Sequence, residues 1–287
     1  MTILITGYSG FVGRFTLPKL IADGHRVICL GRNLPNNGIL CEHVKADLGA
    51  DGEFPPVPWH EIEVVLHLAS AGVKASNRTG PECFRVNVLG TARLLAALEK
   101  ASRLKKVITT PTFYERAVLA QPALKDNHYI ETKYLATAIA HTWARSFPGE
   151  LSLATLFQAY GPGDGGGNVL NYVASQLKRG EKALLGSGKG LRDWIYIDDV
   201  AAALALLVRQ RHQNGVKNYD LGSGKLNSLR DVVEQIAQIL KVSETLLDFD
   251  PSRDRLDVSV ALAATHNLPG WMASTAFTQG LKNLIYS

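Results

Sequence analysis

The segment Ile3-Leu4-Ile5-Thr6-Gly7-Tyr8-Ser9-Gly10-Phe11-Val12-Gly13, close to the N-terminus, decides the fold. Its first residues are aliphatic or β-branched, which favours a buried strand, and they lead directly into a glycine-rich turn and a helical segment. Small residues at such a turn let the backbone approach a pyrophosphate, whose charge then lies at the helix N-terminus. We expect a dinucleotide site here; the alternative is an ordinary turn with packing glycines. The residues assigned to the site are Gly7, Ser9, Gly10, Phe11, Val12 and Gly13.

Short β-rich runs alternate with longer helical patterns along the rest of the chain. Apolar runs separated by helices are typical of a parallel sheet that is covered on both faces. The pattern therefore predicts an α/β fold with a Rossmann-type, doubly wound parallel sheet. Strands are predicted at residues 3–6, 26–30, 64–68, 107–110 and 151–157, and helices at 84–101, 129–146, 200–209 and 228–240.

The sequence changes in character after Tyr160, where Gly161-Pro162-Gly163-Asp164 precedes a glycine cluster at 165–167 and shorter elements. We expect residues 1–160 to form the NAD(P)-binding Rossmann domain. Residues 161–287 are expected to form mainly a smaller, C-terminal substrate-binding lobe, interleaved with the last elements of the sheet. The glycine cluster is expected to be a mobile loop beside the site.

The composition points to a globular protein that acts on small molecules. Of the 287 residues, 46% are hydrophobic and 20% are charged, which is enough apolar surface for a sizeable core. The net charge of +5 is spread along the sequence, so a small anionic substrate is favoured over nucleic acid. No apolar run is long enough to span a bilayer, and a membrane partner is not expected.

The cysteines and the N-terminus indicate a cytoplasmic protein. Cys29, Cys41 and Cys83 are odd in number and have no CxxC spacing, which favours reduced thiols over a disulfide framework or a metal site. The first residues predict a strand rather than the basic and apolar regions of a signal peptide.

The end of the second predicted strand bears on the choice of cofactor. An acidic side chain there would accept hydrogen bonds from a ribose 2′-hydroxyl, whereas this chain has Gly31-Arg32-Asn33. A guanidinium at this place suits a 2′-phosphate, so NADP is favoured and NAD remains the alternative. Arg32 is otherwise a solvated surface residue. Asp47 and Leu48, after the third strand, are candidate adenine contacts.

Tyr129 and Lys133 form a candidate catalytic pair at the start of a long predicted helix. A spacing of four residues places both side chains on one helical face. A tyrosine with an ordinary pKa near ~10 is a poor acid or base at neutral pH, unless a neighbouring cation favours its ionised form. Lys133 would supply that charge and could also bind the nicotinamide ribose. The alternative is a chance pairing on a helix surface.

Together these motifs resemble the extended short-chain dehydrogenase/reductases, which include nucleotide-sugar epimerases, dehydratases and 4-ketoreductases. The resemblance covers nearly the whole chain, with the motifs in the family's order. Besides the glycine turn and the Tyr129/Lys133 pair, it rests on Val65-Leu66-His67-Leu68-Ala69-Ser70, Asn87-Val88-Leu89-Gly90-Thr91, Tyr160-Gly161-Pro162-Gly163-Asp164, Arg192-Asp193-Trp194-Ile195-Tyr196-Ile197-Asp198-Asp199-Val200 and Tyr219-Asp220-Leu221-Gly222-Ser223-Gly224.

The resemblance implies further site residues and a homodimer built on the helices at 84–101 and 129–146. Thr110, four residues before Tyr114, matches the family's catalytic Ser or Thr. Arg192 matches an arginine that binds the nucleotide diphosphate. Gln158 stands where the family usually has asparagine, and a substrate contact is implied for it. Further cofactor contacts are implied for Leu68, Ala69, Ser70 and Asn87, and further substrate contacts for Thr112 and Arg253.

The residues after Thr110 narrow the choice among the family's reactions. Dehydratases of the family carry Asp-Glu there, and reductases that also epimerise C3 and C5 carry a cysteine two residues on, whereas this chain has Pro111-Thr112. Both reactions are disfavoured. With Arg32, the resemblance implies an NADPH-dependent 4-ketoreductase, and an NAD-dependent 4-epimerase is the alternative. A cofactor-sensing protein without chemistry is an alternative of another class.

Overall fold

The computed structural model describes residues 1–35, 39, 41–73, 79–118, 124, 127–164, 168–211, 213–255 and 259–287. The chain divides into two compact units. The first comprises Met1–Thr155 and Ala201–Tyr219, and the second comprises Leu156–Val200 and Asp220–Ser287. The glycine cluster at 165–167, for which a mobile loop is predicted, lies outside the described residues.

The first unit is organised by a parallel sheet. Within the described residues this sheet has seven strands in the order β3-β2-β1-β4-β5-β6-β10, and the pairs from β3 to β6 are parallel. The order 3-2-1-4-5-6 is that of a Rossmann-type sheet, so the predicted fold class is confirmed. The strands are β1 (Thr2–Thr6), β2 (Arg26–Gly31), β3 (Glu42–Lys45), β4 (Val64–His67), β5 (Lys106–Thr109), β6 (Glu150–Leu156) and β10 (Gly215–Leu221).

Helices connect these strands, as a parallel sheet requires. From residue 80 to residue 100 the chain is helical throughout, with a π-helical stretch at Phe84–Leu89 and a final 3₁₀ turn at Leu98–Lys100. The α-helices, including the two in this segment, are α1 (Phe11–Ala22), α2 (Gly80–Cys83), α3 (Gly90–Ala97), α4 (Tyr114–Val118), α5 (His128–Trp143) and α7 (Ile197–Arg209). A 3₁₀ turn lies at Trp59–Glu61.

The core of the first unit lies between the sheet and its helices. Ile3, Leu4 and Ile5 of β1 are fully buried, which is why the strand reads as a continuous apolar run rather than an alternating one. Apolar side chains of α3 and α5, such as Leu94 and Ala140, pack in the same core. Because these strands are parallel, their carboxyl ends lie at the same edge of the sheet.

The second unit holds two small sheets. Among its described residues, β9 pairs with β7 in parallel and with β11 in antiparallel orientation, and β8 pairs with β12. The elements are β7 (Gln158–Tyr160), α6 (Val169–Lys178), β8 (Ala183–Leu185), β9 (Leu191–Tyr196), β11 (Leu226–Ser228), α8 (Leu229–Leu240), β12 (Leu247–Phe249) and α9 (Phe277–Tyr286), with 3₁₀ turns at Glu244–Leu246 and Pro251–Arg253.

Two predicted helix starts are wrong, and both have local reasons. The helix predicted at 84–101 begins at Gly80, because Pro81 lies in its first turn, where the missing N–H is not needed. The helix predicted to begin at residue 200 begins at Ile197, with Asp198 and Asp199 in its first turn, where acidic side chains are favoured. The helix predicted at 129–146 is α5 and ends three residues earlier.

A buried ion pair joins the first residues of β5 and β6, at the edge of the sheet opposite to the carboxyl ends of the strands. Lys106 and Glu150 are register partners, each 2% exposed, with Lys106 Nζ 3.5 Å from Glu150 Oε1. Lys106 Nζ also donates to the carbonyls of Leu207 and Gln210, at 2.9 and 3.0 Å. Glu150 Oε2 accepts from the backbone N–H of Gln213 at 2.6 Å. These bonds fasten the end of α7 to the sheet.

Replacing Lys106 with Met is expected to lower the free energy of unfolding by about 3–5 kcal/mol, because Glu150 would remain as an uncompensated buried charge. Urea unfolding measures this loss. Lys105→Met is the matched control, since the Lys105 side chain is 51% exposed and its pair with Glu63 contributes about 1 kcal/mol or less. Equal losses of unfolding free energy in the two variants would contradict a stabilising role for the buried Lys106–Glu150 pair.

Candidate active site

The glycine turn joins β1 to α1 at the carboxyl end of the sheet. Gly7 has a φ of +70°, which favours glycine, and its carbonyl accepts a hydrogen bond from Gly10 N at 3.0 Å. A Cβ on Gly13 would lie 2.3 Å from Gly7 O, so α1 packs against the turn more closely than a larger residue allows. The sequence of strand, turn and helix that the motif predicts is present.

The geometry of this turn fits a pyrophosphate. A Cβ on Gly7 would lie 2.5 Å from Ala69 N, so the segment after β4 is in direct contact with the turn. On Gly10, a Cβ would meet no described atom within 4 Å except Gly7 O at 3.2 Å, which leaves the side of the turn open. Gly10 is the N-cap of α1, and the first turn of that helix has no acidic residue. Backbone N–H groups at such an end are a ready anion site.

Arg32 follows directly on β2, and its neighbours are fixed by two aromatic side chains. The Tyr8 hydroxyl donates to the carbonyl of Asn33, and His43 Nε2 lies 3.0 Å from the carbonyl of Gly31. Burial raises the pKa of Tyr8 to about 12, so the phenol stays a donor. Arg32 itself is exposed and forms no ion pair with the residues that the structure describes. The structure thus places an exposed arginine at the end of β2.

Asp47 and Leu48 follow β3, as the sequence predicts. Asp47 Oδ1 accepts from Gly49 N at 2.8 Å, and the Asp47 carbonyl accepts from Arg93 at 2.9 Å. Leu48 is 7% exposed and packs in the core. The Asp47 carboxylate thus shapes its own turn, and Leu48 offers a ligand only its backbone.

Helix α5 carries the Tyr129/Lys133 pair. Asn127 caps the helix, and its side chain accepts from Tyr129 N at 3.1 Å, so the cap holds Tyr129 in the first helical turn. Tyr129 is half-buried, and Lys133 follows one turn later. Burial lowers the pKa of Lys133, and the negative charge of Glu115 opposes that shift.

A pocket opens between α5 and the ends of β4 and β5. Its wall includes His67, Asn87, Thr109, Pro111, Lys133 and Thr137. Thr109 Oγ1 is buried and has no hydrogen-bond partner among the described residues. Buried polar atoms are normally paired, so this hydroxyl fits a site that a ligand completes. Thr110, the predicted catalytic residue, is half-buried and lies between the pocket residues Thr109 and Pro111.

His67 lines this pocket as a neutral side chain. Its Nδ1 lies 2.7 Å from Thr6 Oγ1, and its Nε2 lies 3.0 Å from Thr91 Oγ1. Burial, and secondarily the charge of Lys133, lower the pKa of His67 to about 3. The imidazole therefore links β1, β4 and α3 without adding a charge to the pocket.

Asn87 ties the end of β4 to helix α5. Its Oδ1 accepts from Ala71 N at 2.7 Å and from Ser70 Oγ at 3.2 Å. Its Nδ2 donates to Ala71 O at 3.1 Å and to Thr132 Oγ1 at 2.9 Å. An amide has two donor hydrogens and two acceptor lone pairs, and all are used here. This geometry favours a positioning role for Asn87 over the predicted direct contact with the cofactor.

The other predicted substrate residues belong to the second unit. Gln158 begins β7 and is the register partner of Trp194. Arg192 lies in β9, and its Nη1 donates to the carbonyl of Val260 at 2.7 Å. Arg253 pairs with Asp248 and Asp250, at 3.5 and 3.7 Å, which favours a local structural role over the predicted substrate contact.

Sequence reasoning missed several residues of the first-unit site. Tyr8 and His67 stand inside quoted motifs, but their roles depend on partners 25 and 61 residues away. Glu115 had a local signal, since Thr112-Phe113-Tyr114-Glu115 matches the capping-box pattern S/T-x-x-E. Thr109 had none, because only the fold shows that its hydroxyl is buried in the wall of the pocket.

Comparisons with known proteins find similarity along nearly the whole chain. CDP-abequose synthase of Salmonella muenchen is 26% identical over 288 residues, which cover 99% of this chain and 96% of the relative. UDP-glucose 4-epimerase of Mycolicibacterium smegmatis is 28% identical over 319 residues, covering 99% and 97%. The structure of UDP-glucose 4-epimerase from Thermus thermophilus in complex with NAD matches with a TM-score of 0.76 at 22% identity, covering 99% of this chain and 98% of that one, and shows the shared fold.

The family match decides the class of protein. The sequence pattern of the NAD dependent epimerase/dehydratase family matches residues 3–222, which include the glycine turn, the Tyr129/Lys133 pair and both predicted threonines. Since this match covers well over half of the chain, the protein belongs to the NAD dependent epimerase/dehydratase family, and the predicted enzyme class is confirmed.

Proposed function

We propose that the protein catalyses the NADPH-dependent reduction of a nucleotide-linked 4-keto-6-deoxy sugar at C4. The observation that carries this choice is Arg32, which follows β2 exposed and unpaired among the described residues, where a cofactor with a 2′-hydroxyl would favour an acidic side chain. NADPH serves as a consumed reductant in such a reaction. The similarity to CDP-abequose synthase supports the same class of substrate.

The catalytic roles follow from the chemistry of the side chains around the pocket. A bound nicotinamide cofactor supplies the hydride. Tyr129 donates a proton to the C4 oxygen as the carbonyl is reduced, and Thr110 donates a hydrogen bond to the same oxygen. Lys133 favours the ionised phenol that remains and binds the nicotinamide ribose. Thr109 and Asn87 line the same pocket as Lys133 and would contribute to its wall when the cofactor is bound.

The substrate is assigned mainly to the second unit. Arg192 would bind the nucleotide diphosphate by charge-assisted hydrogen bonds, and Gln158 would contact the sugar. Thr112, in the first unit, adds a hydroxyl near the sugar but is neither a base nor a thiol. At these two positions the chain therefore has neither the Asp-Glu pair of the dehydratases nor the cysteine of the 3,5-epimerising reductases.

Exposed apolar side chains on two helical segments support a homodimer. Phe84, Leu89, Tyr134 and Leu135 are apolar side chains on the helical segments around α3 and α5, and they are 37–50% exposed. A second copy of the chain would cover them, which supports a homodimer. No helix in the described part of the chain has the length and apolar character needed to cross a membrane. Cytoplasmic location stays a prediction.

An NAD-dependent nucleotide-sugar 4-epimerase is the second candidate. It is favoured by the similarity to UDP-glucose 4-epimerase and by the NAD bound in the Thermus thermophilus structure. In that reaction the cofactor is regenerated within each turnover, so a 2′-phosphate has no use. A sensing protein without chemistry would bind NADP but turn over no sugar nucleotide.

Incubation with a panel of nucleotide-linked 4-keto-6-deoxyhexoses and NADPH is expected to oxidise one NADPH for each sugar reduced. Absorbance of the reduced nicotinamide and chromatography of the sugar nucleotides measure the ratio. The parallel reaction contains UDP-glucose without added cofactor. If the hexose is epimerised and no NADPH is consumed, the protein is an epimerase and the reductase proposal is wrong. If no sugar nucleotide is turned over, the hypothesis of a sensing protein without chemistry takes its place.

Arg32→Ala is expected to weaken NADPH binding by about tenfold or more and to leave NADH binding nearly unchanged, because only NADPH has a 2′-phosphate to pair with the guanidinium. Fluorescence titration of both cofactors measures the change. Arg14→Ala, which removes a cation from the glycine-turn helix instead, is the matched control and should show no preference for one cofactor. Equal weakening of both cofactors by Arg32→Ala would contradict the NADP assignment.

A further inference from the structure

A buried acid lies beside the pocket without a role in the proposed reaction. Glu115 belongs to α4 and is 7% exposed. Its Oε1 accepts from the backbone N–H of Thr112 at 2.9 Å, and its carboxylate is also hydrogen-bonded to the side chain of Thr137. Acidic side chains are almost never fully buried unless paired, so the position of Glu115 needs an explanation.

The two partners of Glu115 flank the catalytic residues. Thr112 lies two residues after Thr110, and Thr137 lies on α5, one turn after Lys133. Since Lys133 and Thr137 both line the pocket, the carboxylate stands next to the helical face that carries the Lys133 ammonium. Glu115 thus bridges the segment after β5 and helix α5 by its two hydrogen bonds.

The negative charge of Glu115 balances the positive charge of the Lys133 ammonium. Burial lowers the pKa of Lys133 and raises that of Glu115, and each group favours the charged form of the other. His67, facing Lys133 from β4, is neutral. Arg116, on α4 with Glu115, favours the carboxylate. Among the described residues of α5, Tyr129 is a further titratable group on this face, one turn before Lys133.

We propose that Glu115 is a positioning residue for the catalytic pair: its buried carboxylate keeps Lys133 protonated inside the pocket and holds the Thr110–Thr112 segment against α5. The proposal rests on the proposed roles of Lys133 and Tyr129. A capping residue of the short helix α4 would need only a hydrogen-bond acceptor, whereas the electrostatic role needs the charge. The two roles can therefore be separated by an isosteric change.

The direction of the effect follows from electrostatics. Removing a negative charge lowers the pKa of a neighbouring ammonium. In Glu115→Gln, Lys133 would therefore lose its proton at lower pH. The reaction uses Lys133 in its protonated form, so the alkaline limb of its pH profile would move to lower pH.

The test measures the ionisation of Lys133 without any substrate. Lysines of the wild-type protein and of Glu115→Gln are labelled with trace acetic anhydride, which reacts only with the unprotonated amine, across a range of pH. Mass spectrometry of the Lys133 peptide gives the midpoint of labelling. We expect this midpoint to fall by about one pH unit in Glu115→Gln.

Two variants keep the result interpretable. Glu131→Gln removes an exposed acid from α5, two residues before Lys133, and should leave the midpoint unmoved. If Glu115→Gln does not fold, Thr137→Val removes one hydrogen bond that favours the Glu115 carboxylate, and the midpoint should fall in the same direction. An unmoved midpoint in a folded variant, even with lower thermal stability, reduces Glu115 to a helix cap and overturns the proposal.

The pH profile of kcat/KM separates this proposal from the proposed function. A shift of the alkaline limb by the same amount as the labelling midpoint supports both. A shifted midpoint without turnover of any keto sugar nucleotide would refute the proposed function and leave the pairing of Glu115 with Lys133 standing. An alkaline limb that stays in place while the midpoint moves would show that Glu115 does not act on the reaction, and would overturn its positioning role.

Discussion

The alignment of strand ends along one edge of a buried parallel sheet is the constraint on which the site depends. Thr6, His67 and Thr109 are register partners at the ends of β1, β4 and β5, so they lie side by side. Because both faces of these strands are packed, chemistry is confined to the edge where the chain leaves the sheet. The glycine turn follows Thr6 at that edge, and the pocket begins at His67 and Thr109.

Helix α5 must be held in register with this edge, since it carries Tyr129 and Lys133. The amide of Asn87 does this by bonding Ala71 on one side and Thr132 on the other. Glu115 forms a second link, through Thr137. Burying a polar group costs free energy unless the group is hydrogen-bonded. All donors and acceptors of the Asn87 amide are hydrogen-bonded, so this link fixes the position of α5. The hydroxyl of Thr109 and the ammonium of Lys133 thereby line the same pocket.

Periodicity and motif order predicted the fold well, because buried parallel strands and helices have distinct apolar periods. The strand predicted at 26–30 is Arg26–Gly31, and Ser228 caps α8 one residue before the helix begins. Partners distant in sequence could not be read in this way. Cys29 Sγ lies 3.2 Å from Cys41 Sγ across β2 and the start of β3, a contact that no cysteine spacing indicates. The burial of the Thr109 hydroxyl in the pocket wall also depends on the direction of a side chain in the folded chain. The same is true of the hydrogen bonds by which the Asn87 amide joins Ala71 to Thr132.

Tyr129 is proposed to give its proton to the reacting oxygen at the carboxyl edge of the sheet. Tyr129→Phe removes the hydroxyl and keeps the ring, so turnover should fall by roughly 10²–10⁴-fold while cofactor affinity stays near that of the wild-type protein. Steady-state kinetics with the reduced sugar nucleotide as product, together with cofactor titration of the same variant, measures both quantities. Turnover within about threefold of the wild-type rate would contradict the proton-donor role, since a general acid supplies far more than that.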